Sequence, residues 1–114
     1  MRKIRESAEN YLETILVLQQ RNGSVRSIDI AAELEFSKPS VSVAMKNLRE
    51  KGCITVDGDG IISLTPEGRR IAEGVYERHI LFTQWLISLG VDPEVAAEDA
   101  CRIEHVISEE SFRA

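Results

Sequence analysis

Three side chains able to bind a metal fall close together late in the chain: Cys101, Glu104 and His105. If this segment is helical, Glu104 lies at i+3 and His105 at i+4 from Cys101. A thiolate, a carboxylate and an imidazole then share one edge of one helix. Such a set makes half of a transition-metal site. A plainer reading is a small buried cysteine with two solvated polar neighbours. Histidine usage favours the metal, because the chain has only two histidines and the other, His79, sits in a different predicted helix. Asn10 and Glu13, one turn apart near the start, are further oxygen donors. Their alternative is plain exposed helix surface.

Those donors need helices to carry them. An apolar stripe of Tyr11, Leu12, Ile15, Leu16 and Val17 to Leu18 predicts a first helix over 6–20, ended by Asn22-Gly23. Ser27 is expected to cap a short helix over 28–35, built on Ile28, Ile30, Ala31 and Leu34. Ser37 then caps, and Pro39 opens, a helix to about Lys51 with Val41, Met45 and Leu48 inward. The runs 53–56 and 61–64 flank Asp57-Gly58-Asp59-Gly60 and predict a β-hairpin, with Cys53 as a core residue. Helix, short helix, turn, helix, hairpin is the order of a winged helix-turn-helix. Thr65-Pro66 starts a long helix to Leu89, which carries His79 and a dense apolar run from Ile80 to Ile87. That run is too apolar for an exposed helix and predicts a homodimer. Asp92-Pro93 opens the helix of Cys101, Glu104 and His105, and Ser108 caps a last one.

The fold expected is therefore mainly α: a winged helix-turn-helix over 1–70, then a helical metal-binding and dimerisation domain over 71–114. The final residues carry no helix-ending signal, so the natural protein is expected to continue. No apolar run approaches the roughly 18 residues of a membrane span, and the basic start leads into no signal core. A cytoplasmic protein without a membrane partner is expected. Two widely spaced cysteines make no disulfide framework. The net charge of −5 is uneven: residues 71–114 carry three Lys/Arg against nine Asp/Glu, whereas 24–70 carry seven of each. The acidic third suits cations rather than nucleic acid.

Along its whole length the chain resembles the metal-dependent repressors typified by the diphtheria toxin repressor and the manganese transport regulator. The residues that carry the resemblance are Asn10-Tyr11-Leu12-Glu13, Ser37-Lys38-Pro39-Ser40-Val41-Ser42, Leu64-Thr65-Pro66-Glu67-Gly68, Arg78-His79 and Cys101-Arg102-Ile103-Glu104-His105-Val106. The resemblance implies that Cys101, Glu104 and His105 bind an activating Fe(II) or Mn(II), with a further ligand from residue 10. Zn(II), Co(II) or Ni(II) would substitute in vitro. It places His79 at a second, adjacent ion position. Iron-type members have methionine at the position of Asn10 and manganese-type members aspartate. Iron-type members also place glutamate and histidine at the positions of Thr83 and Ala97, while Glu13 matches the manganese type. The implied site is thus a hybrid.

The expected activity is repression by binding double-stranded operator DNA. Ser37, Lys38, Pro39, Ser40 and Ser42 lie near the start of the recognition helix, and Arg26, Lys46 and Arg49 suit phosphate contacts. Two alternatives remain. One is a winged-helix repressor that senses a small ligand or oxidation at Cys101 without metal. The other is a metal hydrolase with Glu104 as general base, for which no substrate-orienting residues can be named, so no enzyme is expected.

Overall fold

The first helix is the axis of the molecule. The computed structural model describes residues 2–103 and 106–113, and α1 spans Arg2–Asn22. It is longer than the apolar stripe predicts, because its first turns add little to that stripe. Tyr11, Leu12, Ile15, Leu16 and Leu18 are buried, and the helix packs against α2 (Ser27–Leu34), α3 (Lys38–Glu50) and α4 (Pro66–Ser88). Gly23 ends it at φ +87°, where its N–H donates to the Gln19 carbonyl at 2.9 Å. That left-handed stop costs glycine little.

The start of α2 corrects an expectation. Arg26, not Ser27, is the N-cap, and the Asp29 carboxylate accepts from the Arg26 N–H at 2.9 Å. The clasp thus comes from a carboxylate inside the first turn reaching back, the reciprocal half of a capping box. The end of α2 differs too. Glu35 takes the left-handed cap conformation at φ 57°, and Phe36 N–H donates to the Ala31 carbonyl at 3.1 Å. A non-glycine residue there costs about 1–2 kcal/mol. Edge-to-face packing of Phe36 on Tyr11, with centroids 6.0 Å apart, helps to hold the turn.

The helix α3 begins as its sequence predicts. Ser37 Oγ accepts from Ser40 N–H at 3.3 Å and donates to Ser40 Oγ at 2.8 Å. Val41, Met45 and Leu48 face the core. Two short antiparallel strands follow, β1 (Ile54–Val56) and β2 (Ile62–Leu64), with Thr55 opposite Ser63. Cys53 falls just outside β1, because its N–H donates to the Leu48 carbonyl and so closes α3. Asp57 Oδ1 accepts from the N–H groups of Asp59 and Ile61, each at 2.9 Å, and holds the turn. Val25 adds an unforeseen rung: Ile62 N–H donates to its carbonyl at 2.7 Å.

The long helix α4 starts against the end of α3. Thr65 Oγ1 donates to the Gly52 carbonyl at 2.7 Å and accepts from Gly68 N–H at 3.1 Å, while Thr65 N–H donates to the Cys53 carbonyl at 3.0 Å. Gly68 is required here, because a Cβ built on it falls on that same Cys53 carbonyl. The helix packs against both α1 and α5 (Pro93–Ile103), which buries Ala96 and Ala100. A short α6 (Glu109–Arg113) begins where Ser108 Oγ accepts from Ser111 N–H. Phe112 meets Phe82 edge-to-face at 6.0 Å, with the Arg78 guanidinium 5.5 Å from its ring centroid. No described helix is long and apolar enough to cross a membrane.

Candidate metal centre and nucleic-acid face

The metal-capable residues are distributed over α1, α4 and α5. Asn10 and Glu13 stand on α1, His79 on α4 and Cys101 on α5, and α4 packs against both other helices. Glu104 and His105 lie outside the described residues. Among the described residues no three His, Cys, Asp or Glu side chains gather into one group. The arrangement therefore brings the donor-bearing helices together and describes only Cys101 of the expected Cys101, Glu104 and His105 edge.

Two plainer readings of these residues do not hold. Cys101 is exposed, so it is not a core cysteine; the buried thiol is Cys53. Glu13 keeps only 9% of its surface, so it is not an ordinary exposed helix residue. A buried carboxylate is costly unless a cation or hydrogen bonds compensate it. Asn10 is half-buried, and its carbonyl accepts from Thr14 Oγ1 at 2.8 Å, which leaves the Asn10 side-chain amide out of that bond. His79 is half-buried, and its carbonyl accepts from Thr83 Oγ1 at 2.7 Å. That bond turns the Thr83 hydroxyl toward its own helix. A buried carboxylate, an amide oxygen, an imidazole and an accessible thiol are a donor set that suits a divalent first-row metal.

The nucleic-acid candidates form a second face. Ser37, Lys38, Pro39, Ser40, Ser42, Lys46 and Arg49 are all exposed on or before α3, and Arg26 is exposed at the start of α2. Ser37 is committed to capping the start of the helix, since its oxygen accepts from Ser40 N–H while its hydroxyl donates to Ser40 Oγ. Ser37 thus performs the capping task that its place before Pro39 predicts, beside any contact it makes with DNA. The hairpin turn carries Asp57 and Asp59 and no basic residue.

Comparison with known proteins bears on both faces. Residues 3–60 match the family model described as iron dependent repressor, N-terminal DNA binding domain. Residues 65–114 match the model described as iron dependent repressor, metal binding and dimerisation domain. The transcriptional regulator MntR of Escherichia coli O157:H7 is 38% identical over 110 residues, covering 96% of this chain and 71% of that protein. The diphtheria toxin repressor of Corynebacterium diphtheriae is 33% identical over 114 residues, covering 99% of this chain and 50% of that one. The chain thus spans half the length of the longer relatives. Among solved structures, a manganese-dependent transcriptional repressor in complex with manganese superposes with a TM-score of 0.84 at 27% identity, over 93% of this chain and 49% of that one. This family is one of transcriptional repressors, not enzymes, which removes the hydrolase alternative. With both of its halves matched in order, the chain belongs to the iron-dependent repressor family.

Proposed function

We propose that the protein is a homodimeric, cytoplasmic repressor that binds operator DNA when Fe(II) or Mn(II) is bound between its DNA-binding part, residues 1–70, and its metal-binding and dimerisation part, residues 71–114. The single observation that carries this reading is the course of α4. It begins hydrogen-bonded to the segment after α3 through Thr65, packs against both α1 and α5, and bears His79 on the way. A change in how α4 packs on α1 and α5 is therefore felt at the recognition helix.

Cys101, Glu104 and His105, with Asn10, would hold the principal ion, Glu13 and His79 would hold a second ion or support the first, and their chemistry fits a divalent cation. The bound cation would supply positive charge where the carboxylates otherwise repel one another, and a sulfur ligand gives up its proton on binding it. Glu13 is the group on the α1 side that benefits most, being a carboxylate already withdrawn from water. Cys101 acts from the α5 side, where an exposed sulfur is accessible to an ion arriving from solution. Residues on the two sides then favour one relative orientation of the helices. In a two-fold dimer, that orientation sets the two α3 helices about 34–36 Å apart, one turn of DNA. Lys38, Ser40 and Ser42 face base edges or phosphates, and Arg26, Lys46 and Arg49 the backbone.

The dimer is supported by the apolar residues left uncovered at the end of α4 and at its cap, with Trp85 at 53% and Leu89 at 64% exposure. The test is operator binding under anaerobic conditions against a series of divalent ions and in chelator. Binding in Mn(II) or Fe(II) and its loss in chelator are expected. Equal affinity in both would overturn the metal requirement and favour a repressor that senses a ligand or oxidation at Cys101.

A further inference from the structure

The last helix is held by one side chain. α6 reads Glu109-Glu110-Ser111-Phe112-Arg113, in which Phe112 is the only apolar residue. Phe112 is half-buried, meets the buried Phe82 of α4 edge-to-face at 6.0 Å, and has the Arg78 guanidinium 5.5 Å from its centroid. Arg78 and Phe82 are one turn apart, so a single edge of α4 receives the ring. His79 belongs to the same turns. Ala72, Val75 and Phe82 are buried on α4, and His79 continues their spacing, four residues after Val75 and three before Phe82. The ring of Phe112 is thus seated on the stretch of α4 that carries the imidazole.

The chain before α6 is fixed at its other end as well. α5 buries Ala96 and Ala100, and the Ile103 carbonyl at its close accepts from Val106 N–H at 3.0 Å and Ile107 N–H at 3.1 Å. Ser108 Oγ then accepts from Ser111 N–H at 3.1 Å, which starts α6. Glu104 and His105, proposed above as ligands of the principal ion, fall by sequence between these two anchorages. A helix of five residues does not hold itself in water, so the seat of α6 depends on its one apolar anchor. Ligands held in place before the ion arrives bind it more tightly, because less ordering is left to do. If only a fraction of the molecules hold them, the apparent dissociation constant rises by the inverse of that fraction.

We infer that Phe112 is a positioning residue for the metal centre: docked on Phe82 and Arg78, it ties the chain that follows Ile103 to the part of α4 bearing His79, and so raises metal affinity without touching the ion. The inference rests on the reading of Glu104 and His105 as ligands. It is tested by titrating the full chain with metal in the absence of DNA, Mn(II) by calorimetry and Co(II) by its sulfur-to-metal absorption. Phe112→Ala is expected to raise both dissociation constants about tenfold, as if the docked fraction fell to about a tenth. Its absorption at saturating Co(II) is expected to equal that of wild type, because Cys101 lies on α5, ahead of the tether. Phe112→Tyr keeps the ring and is expected to stay within about twofold of wild type. Phe112→Leu keeps apolar bulk but not the aromatic face, and is expected to weaken binding about threefold. If Phe112→Ala and Phe112→Leu bind both ions as tightly as wild type, the inference is overturned, even where the urea midpoint in chelator falls, since Phe112 then serves stability alone. Should Phe112→Ala fail to fold, unchanged affinity in Phe112→Leu overturns it by itself. If the wild-type chain binds neither ion, the metal-centre reading falls and the inference with it.

Discussion

At the scale of single residues, the two cysteines divide the chemistry. Cys53 is buried, and its desolvation pushes the thiol above its ordinary range, with the Glu67 carboxylate adding to the shift and Lys51 opposing it. Cys53 is therefore expected to react slowly with an alkylating reagent at neutral pH, and exposed Cys101 quickly, with protection of Cys101 by Zn(II) or Mn(II). The sign for stability follows from the raised folded-state value. The contribution of Cys53 is fully present below the unfolded thiol pKa of about 8.5 and is lost as pH rises through the folded one. Urea midpoints compared at pH 7 and pH 10 are expected to fall less for Cys53→Ala than for wild type. Cys101→Ala is expected to abolish activation by metal, whereas Glu13→Gln keeps one ion bound and weakens metal-dependent DNA binding. Calorimetric stoichiometry together with operator titration checks both. Neither role was fully legible in the sequence. The spacing of Cys101, Glu104 and His105 pointed to metal chemistry, but the burial of Glu13 is a consequence of tertiary packing that helical periodicity alone treats as optional.

At the scale of elements, caps and turns explain where sequence reading succeeds and where it falls short. Ser37, Thr65, Asp92 and Ser108 mark helix starts by side-chain chemistry that acts within a few residues, so they can be read directly. The left-handed Glu35 carries no such mark, and the Val25 rung depends on a strand more than thirty residues away in sequence. The Thr65 latch is intermediate: its cap is legible, its bond to Gly52 is not. Thr65→Val is expected to cost about 1–2 kcal/mol by denaturant unfolding, because it removes the cap and the link to α3 together. Gly68→Ala is expected to cost about 1–3 kcal/mol, since a backbone carbonyl must move to admit the methyl. In the hairpin, Asp57 holds the turn while Asp59 takes part only through its N–H. Asp59→Lys is accordingly expected to fold normally and to tighten nonspecific DNA binding, with a salt-dependence slope steeper by up to about 0.9.

At the scale of the whole molecule, the proposed dimer surface and the proposed metal ligand His79 share one helix. Ile80, Leu81, Trp85 and Ile87 are exposed over the last turns of α4, downstream of His79 on the same rod, and Leu89 is exposed at its C-cap. Trp85 is the chain's one tryptophan, so its emission reports burial of that surface and is expected to shift to the blue with rising protein concentration. Trp85→Glu is expected to remove the shift and to leave a monomer by sedimentation. In the proposed function metal and DNA are linked through the same rod, and linkage fixes the sign of one last measurement. If a divalent ion raises operator affinity by some factor, operator DNA must raise the affinity for that ion by the same factor, because the two binding steps close a thermodynamic cycle. Coupling of this kind is typically about 5–150-fold. The dissociation constant for Mn(II), measured with and without a saturating operator duplex, is therefore expected to fall by the same ratio that Mn(II) produces in the operator constant. The same pair of measurements on Thr65→Val probes the latch. A variant that still binds Mn(II) and still binds DNA, but with a coupling factor near one, places transmission at the contact between the start of α4 and the end of α3. An unchanged coupling factor would instead place it in the packing of α1 on α4.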